Sequence, residues 1–391
     1  MIGRRHRILY YCQSLVGIGH LTASLRIARE LLERHDVDFI QGGLDTPAGL
    51  EHAGYRNLKL PALLHDGDTG GFVGPDAGAS IDEVWRARAR AIAAFLRPPY
   101  DAIVVEFFPF GRRRFRREIH ALFDAVRAAS GAIPIFCSVR EVLIPADART
   151  ERKIIAMIER DIHTIFVRGD PAIVALDETF AAVDAIRPKL LYTGYVAPEA
   201  SAASPPRQKA ILVSQGGGDV GRELLRAAVL TAPALPDYRF VLAAGSRTAG
   251  RAIDELKAGV RSANIEIVPF LPDFQKHLLE SALSISLGGD NTMLDVITTR
   301  TPALAYPYQG SSEQALRIAR LAAAGFVHAL ASADLEPTRL RSRIGHALAA
   351  PYPRRHIAAD GARRTAQMIA AILARRPSRA SPGSPWDAAR R

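Results

Sequence analysis

The chain has 391 residues, too many for one comfortable hydrophobic core, so two domains are expected. Apolar residues make up 48% and charged residues 23%, ordinary values for a globular protein, and no apolar run approaches the roughly 18 residues that span a bilayer. The net charge of +11 speaks to partners rather than fold, and admits nucleic acid, an anionic membrane surface or phosphate-bearing substrates.

Neither zinc-finger spacing nor an aromatic RNA-binding sheet signature is present, so no nucleic-acid partner is expected. Much of the excess charge is arginine scattered over Ala-rich helices, which equally describes a solvated surface. Cys12 and Cys137 lie in strand-like apolar settings and are expected to be buried free thiols, with no disulfide framework or metal site. The first seven residues are basic, but the apolar run behind them is too short for a secretory leader. It reads as the first strand of a cytoplasmic protein.

Residues 7–12 predict a strand that runs into the turn Gly17-Ile18-Gly19-His20. Residues 21–34 predict a helix, because Leu21, Leu25, Ala28, Leu31 and Leu32 share one face. A strand over 37–41, closed by Gly42-Gly43, completes a unit of the doubly wound kind. Residues 66–80, rich in Gly and Asp, predict a loop that is either a lid or a disordered segment. Helices follow over 81–96, 113–130 and 150–160, with strands over 102–106, 133–139, 164–167 and 190–192. The Pro-, Ser- and Ala-rich stretch 197–208 reads as a linker. The pattern then restarts. Strands are predicted over 210–214, 239–243, 265–268, 283–287 and 303–305, and helices over 222–231, 252–260, 314–324, 338–349 and 357–375. The expectation is an α/β chain of two doubly wound domains, 1–196 and 209–375, facing across a cleft, with a disordered basic tail over 376–391. Both Gly-rich turns fall at the carboxyl ends of strands, where parallel sheets bind ligands.

Several motifs in this frame can carry chemistry. Gly216-Gly217-Gly218, preceded by Ser214 and opening a helix, has the form of a phosphate cradle, though a plain tight turn looks the same. In Gly288-Gly289-Asp290-Asn291-Thr292, either Asn291 or Thr292 is expected to cap the next helix. Asp295, one turn on, can accept ribose hydroxyls or simply complement the helix dipole. Glu313-Gln314 suit the adjacent hydroxyls of a sugar, or form an ordinary first helical turn. His20 can act as a general base, contact a phosphate, or be structural. Glu106, at a strand end, is a second candidate acid or base, or half of a salt bridge. Residues 107–117 combine Phe107, Phe108, Phe110 and Phe115 with Arg112, Arg113, Arg114, Arg116 and Arg117. Such a stretch can lie on an anionic membrane, grip a phosphate-bearing acceptor, or place aromatics in a core beneath solvated arginines.

Taken together these residues resemble the GT-B glycosyltransferases of family 28. That group includes the transferase that adds N-acetylglucosamine to the lipid-linked peptidoglycan precursor, and the plant galactolipid synthases. Gly17-x-Gly19-His20, with Arg26 six residues on, is similar to the family's N-terminal Gly-His turn. Gly216-Gly217-Gly218 is similar to its phosphate loop. Gly289-Asp290-Asn291-Thr292-x-x-Asp295, followed by Pro302, Pro307 and Glu313-Gln314, resembles its donor signature. The stretch from Glu106 to Arg112 is similar to a branch of uncharacterised predicted glycosyltransferases.

The resemblance implies a GT-B fold and a set of roles. Asp295 would bind the donor ribose, Glu313 and Gln314 the sugar hydroxyls, Phe270 and Leu271 the base, and His20 the acceptor side. Asp290 stands where relatives are often aromatic, and Asp295 replaces a more usual glutamate, drawing the carboxylate back by a methylene. The activity implied is an inverting, metal-independent transfer from a nucleoside-diphosphate sugar, UDP-linked, to an unidentified hydroxyl acceptor of a class that includes lipid-linked ones. Backbone N–H groups would stabilise the leaving diphosphate in place of a metal, and no cofactor is expected. His20 or Glu106 would be the base. A nucleotide-sugar hydrolase and a non-catalytic nucleotide-sugar-binding protein are the alternatives. The implied location is cytoplasmic, peripheral on the inner membrane face.

Overall fold

The computed structural model describes residues 4–14, 19–43, 49–65, 71–74, 80–199, 205–216, 220–245 and 250–376. The first sheet contains β1 (Arg7–Gln13), β2 (Asp36–Gly42), β3 (Tyr55–Leu60), β6 (Ala102–Glu106), β7 (Ile135–Arg140), β8 (Thr164–Arg168) and β9 (Leu190–Tyr192). All seven pair in parallel, in the order β3-β2-β1-β6-β7-β8-β9. Between β3 and β6 lie a two-stranded antiparallel ribbon, β4 (Leu64–His65) with β5 (Phe72–Val73), and helix α2 (Ile81–Phe95). Ser80 and Glu83 close a reciprocal cap on α2.

The central strands are covered on both faces, which is why they read as nearly unbroken apolar runs. Leu9, Tyr11, Ile103 and Val105 point to one side, with Ile119, Phe123 and Ile154 of α3 (Arg116–Ser130) and α4 (Ala148–Asp161). Ile8, Tyr10, Ala102 and Val104 point to the other, with Leu21, Leu25 and Ala28 of α1 (Gly19–Leu32).

The second sheet, also parallel, runs β12-β11-β10-β13-β14-β15. Its strands are β10 (Gln208–Ser214), β11 (Arg239–Ala243), β12 (Ile265–Val268), β13 (Ser281–Leu287), β14 (Ala303–Tyr306) and β15 (His328–Ala329). Helices α5 (Arg222–Thr231), α6 (Gly250–Ala258), α7 (Phe274–Glu280), α8 (Asp290–Thr298), α9 (Ser312–Ala323) and α10 (Pro337–Ala349) alternate with them.

Three features differ from the sequence reading. The strand β3 was not expected: it lies at the sheet edge, is half-exposed, and alternates polar with apolar residues. Part of the expected loop over 66–80 is the strand β5. The largest difference is the last helix, α11 (Gly361–Ala374), which was assigned to the second domain. Its Ala366, Ile369 and Leu373 are buried against Leu21, Leu25 and Ala28, so it completes the core of the first. The expected tail lies outside the described residues.

The two domains touch. Val142, Ile173 and Val174 from loops of the first pack with Met293, Val296 and Ile318 of α8 and α9. The carboxyl ends of β1, β6, β7 and β8 thereby face the first turn of α8 and the first turn of α9.

Candidate active site

His20 and Glu106 meet where β1 and β6 end. His20 Nδ1 lies 2.8 Å from Glu106 Oε1, and the same oxygen accepts a 2.8 Å bond from Arg168 Nη2 at the end of β8. Glu106 is buried and His20 nearly so. Burial pushes the His20 imidazole down to about 4, against the pull of Glu106 and with help from Arg112 and Arg140. Burial alone would raise the Glu106 carboxyl; Arg168, His20 and Arg112 outweigh it and hold it below its ordinary value. At neutral pH the pair is therefore a neutral imidazole hydrogen-bonded to a carboxylate. With Glu106 accepting, Nδ1 carries the proton and Nε2 is the basic nitrogen.

The His20 ring packs on Phe107, with centroids 4.9 Å apart. Two guanidiniums lie over the same phenyl ring, that of Arg140 at 5.2 Å and that of Arg112 at 5.8 Å. Arg112 Nε donates to the Gln13 carbonyl at 2.7 Å. Phe107 and Arg112 both adopt left-handed backbone, at φ 65° and 57°.

The second domain closes on this group. A Cβ added to Gly19 would stand 3.2 Å from Asn291 Nδ2, so the first turn of α1 and the first turn of α8 are in close approach. Gly289 precedes α8 and no side chain caps it, so Asn291 and Thr292, expected as caps, lie inside the helix instead. Its first N–H groups are thus left for other acceptors. Asp290, the first residue of α8, is half-buried. Arg317, 3.8 Å away, together with Arg168 and Arg140, overcomes that burial and keeps its carboxyl below the ordinary range.

Arg317 of α9 is buried at the centre of a bridge between the domains. It donates to Glu141 Oε1 and to Glu313 Oε1, both at 3.1 Å. Arg140 Nη2 reaches Glu313 Oε2 at 2.7 Å from the other side. Glu313, expected to read sugar hydroxyls, is thus gripped by two guanidiniums. Gln314 accepts from the Tyr308 backbone N–H at 3.3 Å. Asp295 faces Arg26 and Gln275; burial pushes its carboxyl up to about 6, partly offset by both neighbours. Arg26 also donates to the Val196 carbonyl at 3.2 Å.

At the end of β10, Ser214 Oγ accepts the Gly216 N–H at 3.1 Å. Gly216 is left-handed at φ 77°, and open space lies where its Cβ would be. Gly17, Gly217 and Gly218 lie outside the described residues. Phe270 is exposed after β12, with Leu271 half-buried behind it in the chain.

A family model described as the glycosyltransferase family 28 C-terminal domain matches residues 213–368. The match takes in β11 to β15 of the second sheet. Among curated relatives, the UDP-N-acetylglucosamine--N-acetylmuramyl-(pentapeptide) pyrophosphoryl-undecaprenol N-acetylglucosamine transferase of Rhizobium etli (strain CIAT 652) is 25% identical over 361 residues, covering 80% of this chain and 95% of its own. An uncharacterized glycosyltransferase of Methanosarcina mazei is 24% identical over 317 residues, 76% of this chain and 79% of its own. Two solved structures share the fold. The glycotransferase of kitacinnamycin superposes with a TM-score of 0.63 at 16% identity, over 95% of this chain and 100% of its own. MurG of Acinetobacter baumannii superposes with a TM-score of 0.54 at 17% identity, again over 95% and 100%. The chain is a glycosyltransferase with the GT-B fold of two facing Rossmann-like domains.

In this glycosyltransferase the aromatic stretch is not a membrane wedge. Phe108 is fully buried, edge-on to His120 and Phe123, and Phe107, Phe110 and Phe115 are buried too. An apolar run followed by a helix with a strong apolar face places such residues in the core. Of the five arginines, Arg114, Arg116 and Arg117 are exposed, whereas Arg112 turns into the cleft. Among the described residues no helix is long and apolar enough to cross a membrane.

Sequence reasoning missed Arg140, Glu141, Arg168 and Arg317. Arg140 and Arg168 close β7 and β8 as Glu106 closes β6, but each fell one residue past the strand predicted for it. Arg317 carried no signal, being one arginine on a helix in an Arg-rich chain.

Proposed function

We propose that this glycosyltransferase moves a sugar from a nucleoside-diphosphate donor, a UDP-sugar, to an acceptor hydroxyl, with inversion and without a metal ion or cofactor. The observation that carries the reading is the His20–Glu106 pair at 2.8 Å, facing the uncapped start of α8 across the cleft. Glu106 fixes the imidazole so that Nε2 takes the proton of the acceptor hydroxyl. The oxygen then attacks the anomeric carbon from the side opposite the diphosphate, which leaves with its electron pair in a single inverting displacement. Backbone N–H groups at the α8 N-terminus would meet the charge that develops on it, and the glycine loop after β10 is assigned the same role. Asp295 would take the ribose, Gln314 and Glu313 the sugar hydroxyls, and Phe270 with Leu271 the base. The relative from Rhizobium etli, by its name, transfers to a pyrophosphoryl-undecaprenol acceptor. We extend to this chain only the hydroxyl acceptor, with a lipid-linked one in the same class.

The test is single-turnover transfer and UDP binding in wild type and His20→Ala. UDP should bind both alike, and transfer should fall by roughly 10²–10⁴-fold in the variant. Unchanged turnover would remove His20 as the base. Stoichiometric free sugar without any acceptor would favour hydrolysis instead. Binding without turnover in any acceptor mixture would favour a sensor.

A further inference from the structure

Arg112 and Arg140 are more cationic than their surroundings need. Both guanidiniums lie over the Phe107 ring, beside His20. Arg112 makes no ion pair among the described residues and donates instead to the Gln13 carbonyl. Among the described residues Arg140 pairs with one acid, Glu313, which it shares with Arg317, and its buried Nε has no hydrogen-bond partner there. Of the other carboxylates around them, Glu106 is already bonded to His20 and Arg168, and Asp290 lies 3.8 Å from Arg317. Two neighbouring, half-buried guanidiniums with one directly bonded carboxylate between them are a costly arrangement that an anion would relieve. Backbone conformation is spent on it as well. The left-handed Phe107 and Arg112 set the ring and the guanidinium in place, and such strain in non-glycine residues gathers at functional sites. The position is telling: both residues belong to the domain that bears the base, Arg140 at the end of β7 and Arg112 in the turn after β6, and not to the domain with the donor signature.

We propose that Arg112 and Arg140 form an anion subsite that selects acceptors bearing a phosphate or carboxylate near the reacting hydroxyl. The flat, two-pronged guanidinium matches either group, and the Phe107 face keeps both forks in register. Assigning the anion to the acceptor rests on the transferase reading above; that the pair binds an anion does not.

The test uses full-length protein, with inorganic phosphate and inorganic pyrophosphate as probes and calorimetry in the absence and presence of saturating UDP. Wild type should bind a probe with UDP already in place. Arg112→Gln and Arg140→Gln should each weaken that binding about tenfold or more, a loss of about 1.4 kcal/mol. UDP affinity should stay level in Arg112→Gln. Arg114→Gln, on an exposed arginine outside the cleft, should change neither. Arg112→Lys guards against misfolding: it should keep the fold and part of the affinity. Three results would overturn the proposal: no probe binding in wild type, an equal loss in Arg114→Gln, or a parallel loss of UDP in Arg112→Gln, which would give the pair to the donor diphosphate. If wild type binds a probe but no nucleotide, the subsite stands and the transferase reading fails. In a transfer assay, glycerol 3-phosphate and glycerate should outperform glycerol in wild type, and the preference should vanish in Arg112→Gln.

Discussion

His20 is the residue whose chemistry depends most on where the chain buries it. Because burial pushes its imidazole down to about 4, it stays unprotonated through the neutral range. The acid limb of kcat/KM is therefore expected below pH 5, well under the ordinary histidine value of about 6.5. The same shift has a stability sign. Between about 6.5 and the folded value the unfolded chain binds a proton that the native state refuses, so this group's contribution is full above 6.5 and is lost as pH falls through 4. Glu106→Gln should lower kcat by roughly two to four powers of ten, as removal of an orienting acid does, while UDP affinity is kept. A pH–rate series on both proteins checks this; an unmoved limb with an unchanged kcat in the variant would show that Glu106 only holds Arg168. The sequence made His20 and Glu106 visible one at a time. Their pairing was not, because 86 residues separate them and only the β1–β6 register joins them. Arg317 was hidden for a different reason: nothing local distinguishes a buried arginine from a solvated one.

The segment between β6 and α3 is the element on which the most depends. Gly111 N–H bonds back to the Phe107 carbonyl at 2.6 Å, and a Cβ at Gly111 would stand 2.2 Å from Phe107 Cδ1. Gly111→Ala must therefore move the ring under both arginines. The expected cost is about 1–3 kcal/mol of stability, as for overpacking, read from the denaturant midpoint. Transfer should fall with it while UDP binding holds; a loss of UDP binding instead would mean that the segment serves the donor domain. Local chemistry left the reading open here. Phenylalanines beside arginines look alike whether the rings enter a membrane or a core, and no glycine stands at Phe107 or Arg112 to announce the left-handed turns. β3 escaped for the opposite reason. A strand at the edge of a parallel sheet keeps polar residues, so the apolar-run criterion passes over it. The central strands and the helices with clear apolar stripes were legible, because their periodicity alone carries the information.

Across the whole molecule, the domains are joined by ion pairs as well as by packing. Arg317 with Glu141, and Arg140 with Glu313, cross the cleft beside the proposed base. Buried pairs of this kind are weak evidence for stability and better read as fixing one closed arrangement. The fold of two facing doubly wound domains was legible from the repeated strand, glycine turn and helix. The ownership of α11 was not, since an apolar stripe says that a helix packs but not on what. Ile369→Ala should cost about 2–5 kcal/mol, and the loss should appear in the first domain. Hydrogen exchange would show faster amide exchange in β1 and α1 than in wild type, with β10 and β13 unchanged. Selective exchange in the second sheet would contradict the packing described.

The return of α11 has a consequence for anyone who wishes to watch the cleft open. β1 and α11 belong to one body, so the donor-side domain between them is threaded in as an insert, held by two crossings rather than one. Dyes placed near residues 5 and 375 would ride together and report nothing. A pair spanning the two bodies, such as one near residue 120 and one near residue 341, would register every opening.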